Sequence, residues 1–242
     1  MSKIPVLLCW SGGKDCSYAL YQLMQDDRYE VISLISTING NYRRLSIHGV
    51  REELIDAQAK SIGIPLRKVY VYKGNNEEYE QQMNQAFTEF RQKGVGVVAF
   101  GDIFLEDVRS YREETLKAIG MSAIFPIWKT DTRILVQDFI DKGFISHTCC
   151  ITDGYLSKQW VGRKIDKEFI EELPQTVDPC GENGEFHTFC SNGPIFNEPI
   201  GFSMGELEYW LFEQPLEHNA TVLTEKKIKG FWFCDLLPDN ED

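Results

Sequence analysis

The sequence predicts a doubly wound α/β domain on a five-stranded parallel sheet, followed by a smaller α+β portion. Three observations carry this. Between residues 5 and 128, short apolar runs rich in β-branched residues alternate with amphipathic stretches. Three of those amphipathic stretches end at a glycine, the residue favoured just past a helix C-terminus. After Trp128 the alternation stops and more mixed segments follow. Regular strand–helix alternation gives a parallel sheet joined by right-handed crossovers.

The first run, residues 6–10 (VLLCW), and the second, 31–38 (VISLISTI), are continuously apolar, as strands covered on both faces should be. Residues 66–72, 95–100 and 122–127 read the same way. Between them, 15–25, 51–62, 77–93 and 107–119 show helical spacing, for example Leu54, Ala57, Gln58 and Ile62. Gly63, Gly94 and Gly120 follow the last three of these helices. Beyond a soft boundary at Lys129, residues 130–142 are expected to be a helix, 145–151 a strand and 231–236 another strand. The division is therefore 1–128 and 129–242, with a frayed tail over the last five residues.

Bulk properties narrow the class. A chain of 242 residues with 43% hydrophobic side chains can bury a substantial core. No stretch approaches the length of a membrane span, and no signal-peptide pattern opens the chain, so a cytoplasmic protein without membrane partners is expected. Seven scattered cysteines with no CxxC pair fit reduced thiols rather than disulfides or structural zinc. The net charge of −12 is uneven: residues 1–128 carry 15 basic against 16 acidic side chains, and 129–242 carry 10 against 21. No basic footprint for nucleic acid is visible. A homodimer is the oligomer carried as a candidate.

The sharpest local signal is Ser11-Gly12-Gly13-Lys14-Asp15, placed between the first strand and the first helix. A helix N-terminus there offers free N–H groups and partial positive charge beyond a strand's carboxyl end. Gly12 and Gly13 allow close approach of an anion and positive φ. Ser11 and Ser17 can donate hydroxyl hydrogen bonds, and Lys14 supplies a point charge. GxxxxGK[ST] and GxGxxG are both absent, which excludes a Walker A loop and a dinucleotide-binding fingerprint. The pentapeptide resembles SGGxDS, the PP-loop of the ATP-pyrophosphatase superfamily, whose members adenylate a substrate and release pyrophosphate. The motif's final serine is Cys16 here, with Ser17 after it.

Two further clusters follow. Gly101 and Asp102 end the fourth predicted strand, on the same sheet edge as the turn, and a short acid there can hold magnesium or a ribose. Downstream, Asp178-Pro179-Cys180-Gly181-Glu182-Asn183-Gly184-Glu185-Phe186-His187-Thr188 concentrates reactive groups in a turn-rich loop. Glu185 and His187 alternate as on a strand and are expected on one face, where they could do general acid–base work or bind ammonium.

Together the SGGKD turn, the GDI…LED…R…RE segment and the DPCGENGEFHT loop resemble the diphthine–ammonia ligase family, and residues 46–54 (SIHGVREEL) look like its bacterial-type branch. The resemblance spans residues 4 to about 194. It implies a PP-loop, Rossmann-like α/β domain with a smaller C-terminal domain. It also implies a ligase that uses ATP and magnesium (Mg2+) to adenylate a carboxylate and amidate it with ammonia. That carboxylate would belong to diphthine on elongation factor 2 or to another small molecule. The expected nucleotide contacts are Ser11, Gly12, Gly13, Lys14, Asp15, Cys16, Ser17, Ser36, Thr37, His48, Gly101 and Asp102, with Asp15 and Asp102 on the metal. Lys14, Glu182, Glu185 and His187 are the expected catalytic groups. Two other classes stay open. A tRNA-thiolating enzyme would need a reactive cysteine pair, whereas Cys149 and Cys150 adjoin in an apolar strand; a nucleotide sensor would bind without turnover.

Overall fold

Residues 2–211 and 230–239 are described by the computed structural model. In chain order the elements are β1 (Ile4–Cys9), α1 (Lys14–Gln25), β2 (Tyr29–Asn39), β3 (Arg44–Leu45), α2 (Glu52–Ile62), β4 (Leu66–Val71), α3 (Asn76–Gln92), β5 (Val97–Ala99), α4 (Glu106–Ala118) and β6 (Ser122–Ile124). There follow α5 (Thr132–Asp141), β7 (Ile145–Thr152), a short 3-10 turn (Lys158–Trp160), α6 (Lys167–Glu172), β8 (Phe186–Asn192), β9 (Phe202–Leu211) and β10 (Gly230–Pro238). The tail expected over 238–242 falls largely outside the described residues.

β4, β2, β1, β5 and β6 run parallel in that order, and β3 adds a two-residue antiparallel pairing to the end of β2. All five predicted strands are present, and the fold class is as expected. Alternation along β1 shows why the sheet is covered twice. Val6 and Leu8 join the cluster that holds Leu20 of α1 and Leu54 of α2, while Leu7 joins the cluster of Met83 and Phe87 from α3 and Leu116 from α4. Each such leucine, fully buried, contributes roughly 1.5–3 kcal/mol of transfer free energy. The C-cap Gly63 has φ +79, and Gly94 and Gly120, one residue beyond their caps, also have positive φ.

The second sheet is antiparallel, in the order β8-β7-β10-β9. It packs against the α1 side of the first sheet: Phe139 of α5, Cys149 and Ile151 of β7, and Phe186 and Phe189 of β8 share one apolar cluster with β1 and α1. The Tyr18 hydroxyl of α1 donates to Asp138 of α5 across this contact. Cys149 and Cys150 are both fully buried, in keeping with a packing role. The order reverses between β1 and β5, whose following helices leave on opposite faces. The crevice at that switch point, beyond the strand carboxyl ends, is where open α/β sheets bind ligands.

Candidate active site

A cleft of about 350 Å³ opens at the switch point, within the roughly 300–1,000 Å³ range of small-molecule sites. Ser11, Lys14, Asp15 and Cys16 form one wall, Thr37 and His48 a second, and Gly101 and Asp102 a third. Glu182, His187 and Thr188 close it from the C-terminal portion.

The turn after β1 is shaped by crowding. Gly12 has φ +69, as its predicted role requires. Gly13 does not share it: it caps α1 in an extended conformation, φ −91. Glycine is needed there because a Cβ would stand 2.9 Å from the Thr188 carbonyl oxygen. Thr188 also reaches the helix mouth, where its Oγ1 accepts from the Lys14 amide at 2.9 Å. Among the described residues the Asp15 and Cys16 amides meet no such acceptor. Gly101 lies directly over them, since a Cβ on it would be 2.9 Å from the Cys16 nitrogen.

The DPCGENGEFHT segment folds as a tight loop running into β8. The Asp178 side chain accepts from the Cys180 amide at 2.9 Å and the Glu182 amide at 3.2 Å. Glu182 in turn accepts from the Ile103 amide at 2.7 Å and so ties this loop to the one after β5. Lys14 Nζ reaches across to donate to the Cys180 carbonyl and pairs with Asp15 at 2.7 Å. The His48 Nδ1 lies 3.1 Å from the Thr188 carbonyl oxygen, and the His48 and His187 rings sit 4.7 Å apart. One residue pattern thus joins both halves of the chain around a single cavity.

Family models for the N-terminal and C-terminal domains of diphthamide synthase match residues 4–123 and 131–222 respectively. The chain belongs to the diphthamide synthase family. A curated relative, the diphthine–ammonia ligase of Schizosaccharomyces pombe (strain 972 / ATCC 24843), is 21% identical over 243 residues. The alignment covers 91% of this chain but 38% of that relative, so the chain spans well under half the length of the protein it matches.

The electrostatics of this cleft separate its titratable groups. Burial alone would lower the Lys14 ammonium, and the Asp15 carboxylate more than reverses this, so Lys14 stays charged above the ordinary lysine range. Burial, reinforced by the negative charge of Asp15, lifts the Glu182 carboxyl to about 7. Burial pushes the His48 imidazole down to about 4, with Lys14 acting in the same direction. His187 is held well below its usual range by burial, then by His48 and Lys14. Both imidazoles are therefore neutral at pH 7.

Several expected residues, some of them in the cleft walls, are already engaged by the protein's own groups. Ser17 is buried and donates to the Gly13 carbonyl at 2.8 Å, inside α1 rather than toward the cleft. Ser36 is buried and bonds the Trp10 carbonyl at 2.6 Å, linking β2 to β1. Thr37, an expected nucleotide contact, lines the cleft, with its carbonyl accepting from the Ser46 amide. Glu185 does not share a face with His187: its carboxylate turns inward and accepts from the Asp178 and Asn183 amides at 3.0 and 2.9 Å. Asp102 is paired with Arg112 at 2.7 Å. Cys16 takes the motif serine's place with its thiol donating to the Gly13 carbonyl at 3.2 Å.

Gln58 is the residue that sequence reasoning passed over. Fully buried on α2, it donates to the Gly12 and Cys190 carbonyls at 2.9 and 2.6 Å and accepts from the Trp10 indole at 2.9 Å. It thereby fastens the turn after β1 to β8. The available signal was a glutamine on the apolar face of an amphipathic helix, which must find partners there. Among the described residues no group of three or more His, Cys, Asp or Glu side chains could hold a metal ion, and no helix is long and apolar enough to cross a membrane.

Proposed function

We propose that this chain is an ATP-dependent ligase that adenylates a substrate carboxylate and passes the acyl group to ammonia, with diphthine on elongation factor 2 as the carboxylate. The observation that carries the reading is the bond from the Lys14 amide to Thr188, which builds the phosphate-type turn and the DPCGENGEFHT strand into one cleft. Diphthine and ammonia come from the name of the curated relative.

In this scheme the Asp15 and Cys16 amides and the Ser11 hydroxyl receive the phosphates of ATP, and the helix dipole favours their charge. Thr37 and His48 flank the nucleoside on the β2 side, and Gly101 leaves room for it over α1. The substrate carboxylate attacks the α phosphorus, and the bond to the β-phosphate oxygen breaks as pyrophosphate leaves. Lys14 stabilises the departing charge. Ammonia then forms a C–N bond at the acyl carbon while the C–O bond to AMP breaks, and its surplus proton passes to Glu182. A carboxyl poised near neutrality suits that task. His187 and His48, both neutral, can accept a hydrogen bond from ammonia, and Glu185 acts as a positioning residue by shaping the loop. Mg2+ is commonly held by one or two carboxylates together with substrate phosphates, and Asp15 and Asp102 would be those ligands here. When bound, the ion would neutralise phosphate charge.

The test is release of AMP and pyrophosphate by purified protein supplied with diphthine-bearing elongation factor 2, with and without ammonium. Substrate-dependent AMP formation that falls by about hundredfold or more in Lys14→Ala is expected. ATP turnover to ADP, or AMP formation unaffected by the substitution, would count decisively against the scheme.

A further inference from the structure

The lining of the cleft divides by polarity. Lys14, Asp15 and Glu182 gather near the mouth of α1. Around Thr37, at the end of β2, the lining is apolar. Ile35 of β2, Leu45 of β3 and Met83 of α3 are buried there, and Ile47 stands on the connection after β3. The Thr37 hydroxyl donates to the Met83 sulfur at 3.6 Å, so it is turned away from a ligand.

Ile47 has φ +67, a left-handed conformation in which a β-branched residue is an outlier. The His48 amide donates to the Ser46 carbonyl at 2.8 Å, an i to i+2 bond that closes a γ-turn centred on Ile47. The γ-turn with positive φ is the rare, strained form. Its surroundings hold it in place. The Ser46 amide donates to the Thr37 carbonyl at 3.1 Å and the Gly49 amide to the Leu45 carbonyl at 3.0 Å. His48 Nδ1 lies 3.1 Å from the Thr188 carbonyl oxygen. None of these bonds uses the side chain at position 47, and glycine or asparagine would adopt the same φ at lower cost. Burial does not offset the strain either, since Ile47 is 63% exposed. An isoleucine that costs the fold and gives it little in return belongs to the site rather than to the core.

We infer that Ile47 is a specificity-determining residue whose side chain covers the purine ring of the bound nucleotide. The inference rests on the reading of the cleft as an ATP site. Charged groups at the mouth of α1 suit the phosphates, and the apolar lining around Thr37 suits a flat heterocycle. With Ile35, Leu45 and Met83 already buried, Ile47 is the member of that lining with apolar surface still to lose to a ligand.

The test compares ATP with inorganic tripolyphosphate, which carries the phosphates without the base. Both are titrated calorimetrically, with magnesium present, into the full chain and into Ile47→Asn and Ile47→Val. Wild type should bind ATP more tightly than tripolyphosphate. Ile47→Asn should weaken ATP by about tenfold, as loss of one apolar contact would, and leave tripolyphosphate unchanged. Ile47→Val keeps a branched apolar side chain and should match the wild type. Urea unfolding supplies a second readout: Ile47→Asn relieves the turn and should raise the midpoint. Undiminished ATP affinity in Ile47→Asn, an equal loss for tripolyphosphate, or a lowered midpoint would each overturn the inference while leaving the phosphate turn in place. Wild type that binds neither anion would overturn the ATP-site reading, and this inference with it.

Discussion

The Lys14 amide donates to the Thr188 hydroxyl at 2.9 Å, joining residues 174 positions apart in the chain. A helix-mouth amide in such a place normally faces water or an anion. Here it is spent on holding the DPCGENGEFHT strand against the turn. Thr188→Val would keep the shape and remove the acceptor, leaving a buried N–H at a cost of about 1–3 kcal/mol. Thr188→Ser should restore it. The expected result is loss of AMP formation in the valine variant, with near-normal activity in the serine variant and both folded by circular dichroism. Equal activity in all three would show that the bond does not matter to the site.

Glu182 should make the protein's stability depend on pH in a direction opposite to most carboxylates. Its carboxyl is lifted to about 7 in the folded chain from an ordinary value of 4.5. A raised carboxyl favours the protonated form on folding, so this contribution is complete below pH 4.5 and is lost as pH rises through 7. The difference amounts to about 3 kcal/mol at most. Urea unfolding at pH 5 and pH 8 should show the wild type losing stability relative to Glu182→Gln, whose amide oxygen can still accept from Ile103. A constant difference between the two proteins would contradict the assignment.

His48 works in the reverse sense across nearly the same window. Burial lowers its imidazole to about 4, so its stabilisation is present above pH 6.5 and disappears as pH falls through 4. Proton NMR of the Cε1–H resonance should give a midpoint near 4 for His48, and no titration between pH 6 and 8. An ordinary midpoint would mean that the ring is open to solvent and does not press on His187.

Much of the first sheet was legible because its signals are local. The run at 6–10, the helix after Lys14 and the glycines at 63, 94 and 120 each declare themselves within a few residues. The placement of Gly101 and Asp102 beside the turn also followed, since parallel strands carry their carboxyl ends to one edge. What was not legible is what the C-terminal portion does to the turn. β8 lies against residues 12–14 through the Cys190 amide and Thr188, contacts that no local pattern encodes. Glu185 was misplaced for the same kind of reason. Period-two alternation assumes a regular strand, but β8 begins only at Phe186, and Glu185 still belongs to the loop whose amides it holds.

Gln58 should be a stability hub with a spectroscopic signature. Gln58→Leu would fill the space yet strand the Trp10 indole N–H and the Cys190 carbonyl, at about 1–3 kcal/mol for each orphaned group. The Gly12 carbonyl keeps the Cys190 amide as its partner. Urea unfolding should report a correspondingly lower midpoint, and the Trp10 indole N–H resonance should move in NMR spectra. Wild-type stability together with an unmoved resonance would mean that the three bonds are not made.

Gly101 offers the cleanest separation of site from fold. It lines the cleft, and a methyl group there would stand 2.9 Å from the Cys16 nitrogen and 3.0 Å from the Asp15 carbonyl carbon, both backbone atoms that cannot swing aside. Gly101 lacks a positive φ, so Gly101→Ala introduces crowding rather than backbone strain. Overpacking of this kind costs about 1–3 kcal/mol, within what a domain of this size tolerates. The added carbon also covers the amides proposed to receive phosphate, so KM for ATP should rise by about tenfold or more while the chain stays folded. Gly96→Ala is the control, because a methyl group there meets nothing within 4 Å. If Gly101→Ala binds ATP as tightly as the control does, the nucleotide does not lie between β5 and the mouth of α1.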